Sequence, residues 1–189
     1  RVFEANGTPV GNDFEIASTD TINGDPKLTA LSNGSFVVTY TDASTSAPEV
    51  GFGIIARIYG PDGSAVGGEF IVATDVAGNE FNPDVAALSG GGFFIAWVDT
   101  SGANTVRGQT FDVQGNPVGA ETIINTQAHV NGGSNSVSVS ALADGRVVVA
   151  WQNNNSIADG DGSAILSQII APRDGIVEGT NGNDELFGN

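Results

Sequence analysis

Apolar residues recur at every second position along three stretches of the chain: Phe36, Val38 and Tyr40; Phe93, Ile95 and Trp97; Val147, Val149 and Trp151. A period of two belongs to β-strands, whose successive side chains point to opposite faces. The intervening residues, such as Val37, Phe94, Val98 and Val148, are often apolar as well. A strand apolar on both faces is covered on both. Just ahead of each stretch stands Asn33-Gly34, Gly90-Gly91 or Asp144-Gly145. These dipeptides tolerate the positive φ of a tight type I′ hairpin, which predicts a strand on either side. No segment shows helical periodicity between caps, so no substantial helix is predicted.

The strands belong to a larger repeat. "PKLTALSNGSFVVTYTD" (26–42), "PDVAALSGGGFFIAWVD" (83–99) and "VSVSALADGRVVVAWQN" (137–153) align on Leu31, Leu88 and Leu142. A second shared element is "RVFEANGTPVG" (1–11), "RIYGPDGSAVG" (57–67), "GQTFDVQGNPVG" (108–119) and, more loosely, "SQIIAPRDGIVEG" (167–179). A third, "FEIAS" (14–18), "FIVAT" (70–74) and "TIINT" (122–126), is taken to open each unit. Repeats of this length indicate an array of supersecondary units. The expected fold is all-β: three four-stranded antiparallel sheets in tandem, like propeller blades, over units 11–67, 68–119 and 120–179. A pseudo-threefold closed β fold is the alternative. The strand beginning "RVFEANG" occurs four times and the others three, which favours an open array with residues 1–11 as the last strand of a preceding unit. Open sheet edges attract further strands, so upstream repeats or a second copy of the chain are the expected partners.

Charge narrows the choice of ligand. Twenty-two Asp and Glu against six Lys and Arg give a net charge of −16. Such a surface repels phosphate, so neither nucleic acid nor an anionic membrane is an expected partner, whereas cations, calcium above all, are. No run of about eighteen apolar residues is present, so no membrane insertion is expected. The chain has no cysteine, hence neither disulfides nor thiol chemistry. The segment "NNNSIADGDGS" (153–163) offers Asp159, Asp161 and Ser163 at alternate positions, as calcium loops do, with glycines that let the backbone curl round an ion. A full EF-type loop would place Glu at position twelve; residue 170 is Ile.

The units resemble a repeat of large secreted bacterial proteins of the RTX (repeats-in-toxin, hemolysin-type calcium-binding) class. There a segment like "ALSNGSFVVTYTD" is joined through an Asp-Gly-Asp-Gly-Ser loop to a strand like "ARIYGPDGSAVG". The third unit keeps that loop as "DGDGS" (159–163), while the first two carry "ASTSAPEVGFG" and "TSGANTVRG" instead. The closing "GTNGNDELFGN" (179–189) is similar to an RTX nonapeptide, so 180–189 reads as the start of a calcium-binding tail. The resemblance implies Ca2+ as cofactor, Asn183 and Asp184 as further ligands, type I secretion without a cleaved leader, and an extracellular or cell-surface location.

Other chemistry has less support. Tyr40, Trp97 and Trp151 recur at one strand position and are candidate stacking platforms for sugars, although aromatics so placed more often fill a core. His129 is the only histidine, in a polar loop, with no nucleophile motif beside it. With 22 carboxylates a glycosidase pair is chemically available, but the sequence singles none out. The expected function is therefore a non-catalytic structural or adhesive module of a secreted, calcium-dependent RTX-type protein. The alternative is a carbohydrate-binding module or the propeller part of an extracellular polysaccharide-active hydrolase.

Overall fold

The structure, a computed structural model, describes residues 1–17, 24–44, 51–74, 78–102, 104–125, 136–153, 164–173 and 176–178. A short hairpin, β1 (Val2–Phe3) and β2 (Pro9–Val10), precedes three four-stranded antiparallel sheets. Sheet 1 runs β3 (Gly24–Ala30), β4 (Phe36–Ser44), β5 (Gly51–Tyr59) and β6 (Ala65–Ile71). Sheet 2 runs β7 (Glu80–Ala87), β8 (Phe93–Asp99), β9 (Thr105–Phe111) and β10 (Pro117–Ile123). Sheet 3 runs β11 (Val137–Ala141), β12 (Val147–Asn153), β13 (Ala164–Arg173) and β14 (Ile176–Glu178). In each sheet the strands are neighbours in chain order, so every sheet is a simple meander.

The first strands β3, β7 and β11 lie side by side, and the sheets fan outward from them. Two apolar layers fill the space between sheets. The first joins Val37, Ile54 and Ile58 of sheet 1 to Phe93, Ile95 and Trp97 of sheet 2. The second joins Phe94, Ala96 and Val98 of sheet 2 to Val147, Val149 and Trp151 of sheet 3. Sheet 2 is thus covered on both faces, and all seven residues of β8 are buried, its apolar run Phe93–Val98 together with Asp99. A third cluster lies on the other face of sheet 1, where Ile16 and Ala17 cover Val38, Tyr40, Ile55 and Tyr59.

The turns differ from the predicted two-residue type. In the β3–β4 turn the Leu31 N–H donates to the Ser35 carbonyl at 2.7 Å and the Gly34 N–H donates to the Leu31 carbonyl at 3.0 Å. This is a three-residue loop, a type I turn closed by one glycine at φ 87°. Only the second residue of the Asn-Gly pair needs positive φ. Asn33 instead uses its side chain, whose Oδ1 accepts from the Ser35 N–H at 3.0 Å. The same bonds recur at Gly60–Ser64, Asp112–Asn116 and Leu142–Arg146. In the third of these turns burial would raise the Asp112 carboxyl. Hydrogen bonds from Asn116, Gln114 and Gly115 outweigh it and hold the group below its usual range.

Strand assignment also differs from the sequence in one respect. "FIVAT" does not open unit 2. Phe70 and Ile71 end β6, and the Val72 N–H donates to the Ile54 carbonyl at 2.8 Å, closing sheet 1. The sheets accordingly begin at 24, 80 and 137. A proline near the start of β3 and of β7 produces a second irregularity.

Candidate functional site

Three-residue turns occupy one end of the fan. At the other end lie the strand ends that the longer connections join: the C-terminal ends of β4, β6, β8, β10 and β12 and the N-terminal ends of β5, β7, β9, β11 and β13. At this loop-bearing end the innermost strands are deformed. Pairing of β3 with β4 slips between Gly24 and Lys27, and pairing of β7 with β8 slips between Phe81 and Asp84. Each slip sets two residues, Asp25-Pro26 or Asn82-Pro83, against one, Tyr40 or Trp97, a β-bulge. The cause is legible: Pro26 and Pro83 have no N–H to give to the ladder. The residue before each proline, Asp25 or Asn82, takes φ of 53° or 52°. Asp and Asn tolerate this left-handed region better than other side-chain-bearing residues. Sheet 3 has Ser136-Val137 at the matching place and pairs without a slip.

The bulges set charged side chains on the inner strands. Asp25 and Lys27 are exposed on β3. Asp84 is half-buried on the adjacent β7, and its Oδ2 accepts from the Val139 N–H of β11 at 2.7 Å. One carboxylate thus ties two inner strands together while Asp25 stands open to solvent on the third. Neither was a candidate from sequence. The signal was present: Asp25-Pro26-Lys27 and Asn82-Pro83-Asp84 precede Leu31 and Leu88 by the same interval.

The strain of the bulge gives a direct test. Asn82→Val forces a β-branched residue into the left-handed region and is expected to lower stability by about 1–3 kcal/mol. Asn82→Gly, free of that restriction, should lose less than Asn82→Val in the same urea titration.

The predicted site residues fall into two groups. Tyr40, Trp97 and Trp151 are 3%, 0% and 5% exposed, which places them in the core and corrects their reading as sugar platforms. Burial, reinforced by the nearby Glu69, also pushes the Tyr40 hydroxyl above its ordinary pKa. Asp159, Asp161, Ser163, Asn183 and Asp184 lie outside the described residues, as does His129. Among the described residues no group of three or more His, Cys, Asp or Glu is arranged to hold a metal ion, and no helix is long and apolar enough to cross a membrane.

A second charged cluster, also missed from sequence, sits in sheet 2. Arg107 of β9 pairs with Asp99 of β8 at 2.5 Å and with Glu121 of β10 at 2.7 Å. Glu121 Oε2 also accepts from the N–H and the hydroxyl of Thr74, both at 2.8 Å. Thr74 belongs to the link leaving sheet 1, so the cluster clamps one sheet to the next. A cleft of about 510 Å³ opens at the opposite end, between Leu88–Gly92, Gly145 and Pro172. Its one carboxylate, Asp112, is engaged by its own turn.

No family model and no curated protein matches the chain. Solved structures do. The fold is that of β-propeller blades. A thermostable family-43 glycoside hydrolase aligns with a TM-score of 0.55 at 12% identity, over 87% of this chain and 60% of its own. The Hadza microbial sialidase Hz136 aligns at 0.54 and 16% identity, over 78% of this chain and 34% of its own. An endo-1,4-beta-xylanase from Bacteroides thetaiotaomicron aligns at 0.52 and 14% identity, over 90% and 62%. The chain therefore spans about a third to three-fifths of these proteins, and at such identity the likeness is one of fold. It nonetheless corrects the expectation of a non-catalytic module, since the proteins that share these sheets are named as enzymes. None of them carries an RTX designation.

Proposed function

We propose that this chain forms part of the propeller of an extracellular enzyme that acts on polysaccharide. The supporting observation is the placement of Asp25 and Asp84 on neighbouring inner strands, at the loop-bearing end of a fold shared with glycoside hydrolases. Hydrolysis of a glycosidic bond uses two carboxyl groups flanking it, one to move a proton and one to activate water or attack. Asp25, open to solvent, is the candidate for proton transfer. Asp84 is oriented by the Val139 N–H and supplies the second carboxylate. Lys27, two residues from Asp25, gives this acidic surface one positive group with which to orient sugar hydroxyls or carboxylates.

The test is release of reducing ends from a panel of arabinans, xylans and uronate polymers. Turnover on one of them, reduced about a hundredfold by Asp25→Asn with the fold intact, would support the proposal. Tight binding to a polymer without turnover would return the chain to a carbohydrate-binding module. Neither binding nor turnover across the panel would remove the enzymatic reading.

Calcium is proposed separately, on the sequence of residues 159–163 alone. Millimolar calcium is expected to stabilise the chain over its state in EDTA, by about 2.7 kcal/mol at a hundredfold excess over Kd. Asp161→Ala should abolish the rise in melting temperature; an unchanged rise would disconnect the loop from the ion.

A further inference from the structure

One hairpin turn carries a chemical group that the turn itself does not require. The β3–β4, β7–β8 and β11–β12 turns align on Leu31, Leu88 and Leu142. Each is closed by the same two bonds: the leucine N–H donates to the carbonyl four residues on, and the glycine N–H donates back to the leucine carbonyl. The residue before that glycine is Asn33 in sheet 1, Gly90 in sheet 2 and Asp144 in sheet 3. Asp144 Oδ1 accepts from the Arg146 N–H at 3.1 Å, as Asn33 Oδ1 accepts from the Ser35 N–H at 3.0 Å. Gly90 closes the turn with no side chain at all. The turn therefore uses an acceptor oxygen at most, and only sheet 1 supplies an amide nitrogen as well.

That nitrogen has a defined setting. Asn33-Gly34-Ser35 is the tripeptide Asn-x-Ser, with x other than proline, at which asparagine is glycosylated. Asn33 and Gly34 are exposed. Because Asn33 Oδ1 is bonded to the Ser35 N–H, Ser35 is held beside the amide, while Nδ2 has no partner among the described residues. A Cβ built on Gly34 meets nothing within 4 Å, so the space around the turn is open. This openness is a property of the turn and not of the flank on which sheet 1 lies. Gly90 and Asp144 are exposed in the matching turns, although sheet 2 is packed on both faces. Asn6-Gly7-Thr8 repeats the tripeptide on the β1–β2 turn. The turns that match it, at Gly63 and Gly115, are each packed against a ring, Phe14 or Phe70, so no site is assigned to Asn6. Asn154-Asn155-Ser156 lies outside the described residues.

We propose that Asn33 is an acceptor for an N-linked sugar, transferred from a glycosyl diphosphate. Nδ2 forms a bond to the anomeric carbon of the sugar. The bond from that carbon to the diphosphate oxygen breaks, the oxygen leaves with the electron pair, and the nitrogen gives up one proton to a base of the transferase. The product keeps the amide carbonyl, and with it the bond from the Ser35 N–H. A bulky, hydrophilic group is tolerated on an exposed turn. The turn stands at the end of the fan opposite Asp25 and Asp84, so a sugar on Asn33 leaves those residues clear. Acceptor chemistry at Asn33 does not depend on catalysis there.

The test is transfer to the folded 189-residue chain, read by peptide mass mapping. In one arm the donor is UDP-glucose with a soluble asparagine glycosyltransferase; in the other it is a lipid-linked oligosaccharide with a membrane oligosaccharyltransferase. The peptide containing Asn33 should gain the mass of the transferred sugar in at least one arm, and the arm that works identifies the donor as nucleotide-linked or lipid-linked. Asn33→Asp copies sheet 3 and keeps the oxygen that the turn uses. Ser35→Ala keeps the backbone bond and removes only the hydroxyl. Both variants should abolish the gain at that peptide and leave the urea midpoint of unfolding unchanged. A gain that survives Ser35→Ala overturns the proposal. So does the lack of any gain at Asn33 in the folded chain, whether or not a free peptide of residues 26–42 is modified, because the folded turn would then shield the nitrogen or the tripeptide would not be recognised.

Discussion

Replacing Trp97 with alanine is expected to remove about 3–5 kcal/mol of stability, the range for truncating a fully buried large aromatic. Domains of this kind have about 5–15 kcal/mol in total, so the variant should be near its folding limit at room temperature. The reason is position. Trp97 lies on the face of β8 turned toward sheet 1, in one layer with Val37, Ile54, Phe93 and Ile95. Its removal opens a cavity between two sheets that share no other covalent restraint than the link from β6 to β7. Trp151 fills the matching place between sheets 2 and 3 and should behave alike. The urea midpoint of unfolding reads the effect. A loss under about 1 kcal/mol would contradict the core assignment and reopen a surface role for these rings.

Arg107→Met is expected to be as damaging for a different reason. Asp99 and Glu121 are both almost fully buried as side chains, and Arg107 is the cation between them. Burial alone would lower the pKa of the guanidinium; Glu121 and Asp99 outweigh it and raise the pKa, so the group stays charged throughout the accessible range. Methionine fills the volume but leaves buried carboxylates without a counter-charge, a defect of about 3–5 kcal/mol. Arg107→Lys, which keeps the charge, should recover part of the loss. The urea midpoints of the two variants check it: an equal deficit in both would remove the charge argument and leave only lost packing.

Most of the fold was legible because its signals are local. The period of two around Phe93–Trp97, the glycine turns and the fixed offsets of Leu31, Leu88 and Leu142 specify strands, hairpins and a tandem repeat without reference to tertiary contacts. Where the reading departs from the structure, the deciding interaction is non-local. "FIVAT" looks equally like the start of one sheet or the end of another until the Val72 N–H is seen on the Ile54 carbonyl. The type of hairpin turn depended on a choice between one and two residues of positive φ, which Asn-Gly permits equally. The candidate site was missed because no single residue in it is unusual. Asp25 and Asp84 matter only because two prolines deform adjacent inner strands, and Arg107, Asp99 and Glu121 come together only by strand register. The recurrent aromatics, conspicuous in sequence, were conspicuous for packing.

The fan of meanders has one consequence for how the chain comes apart. Among the described residues sheet 2 packs on both neighbours and sheet 3 on one, so cohesion is graded along the stack. Opening should begin at the flanks and reach the middle last. Deuterium would then enter β13 early, through partial openings that leave the rest of the molecule intact. The amides of β8 would wait for complete disassembly. Their exchange would report the stability of the whole chain, and that of β13 the strength of a single seam.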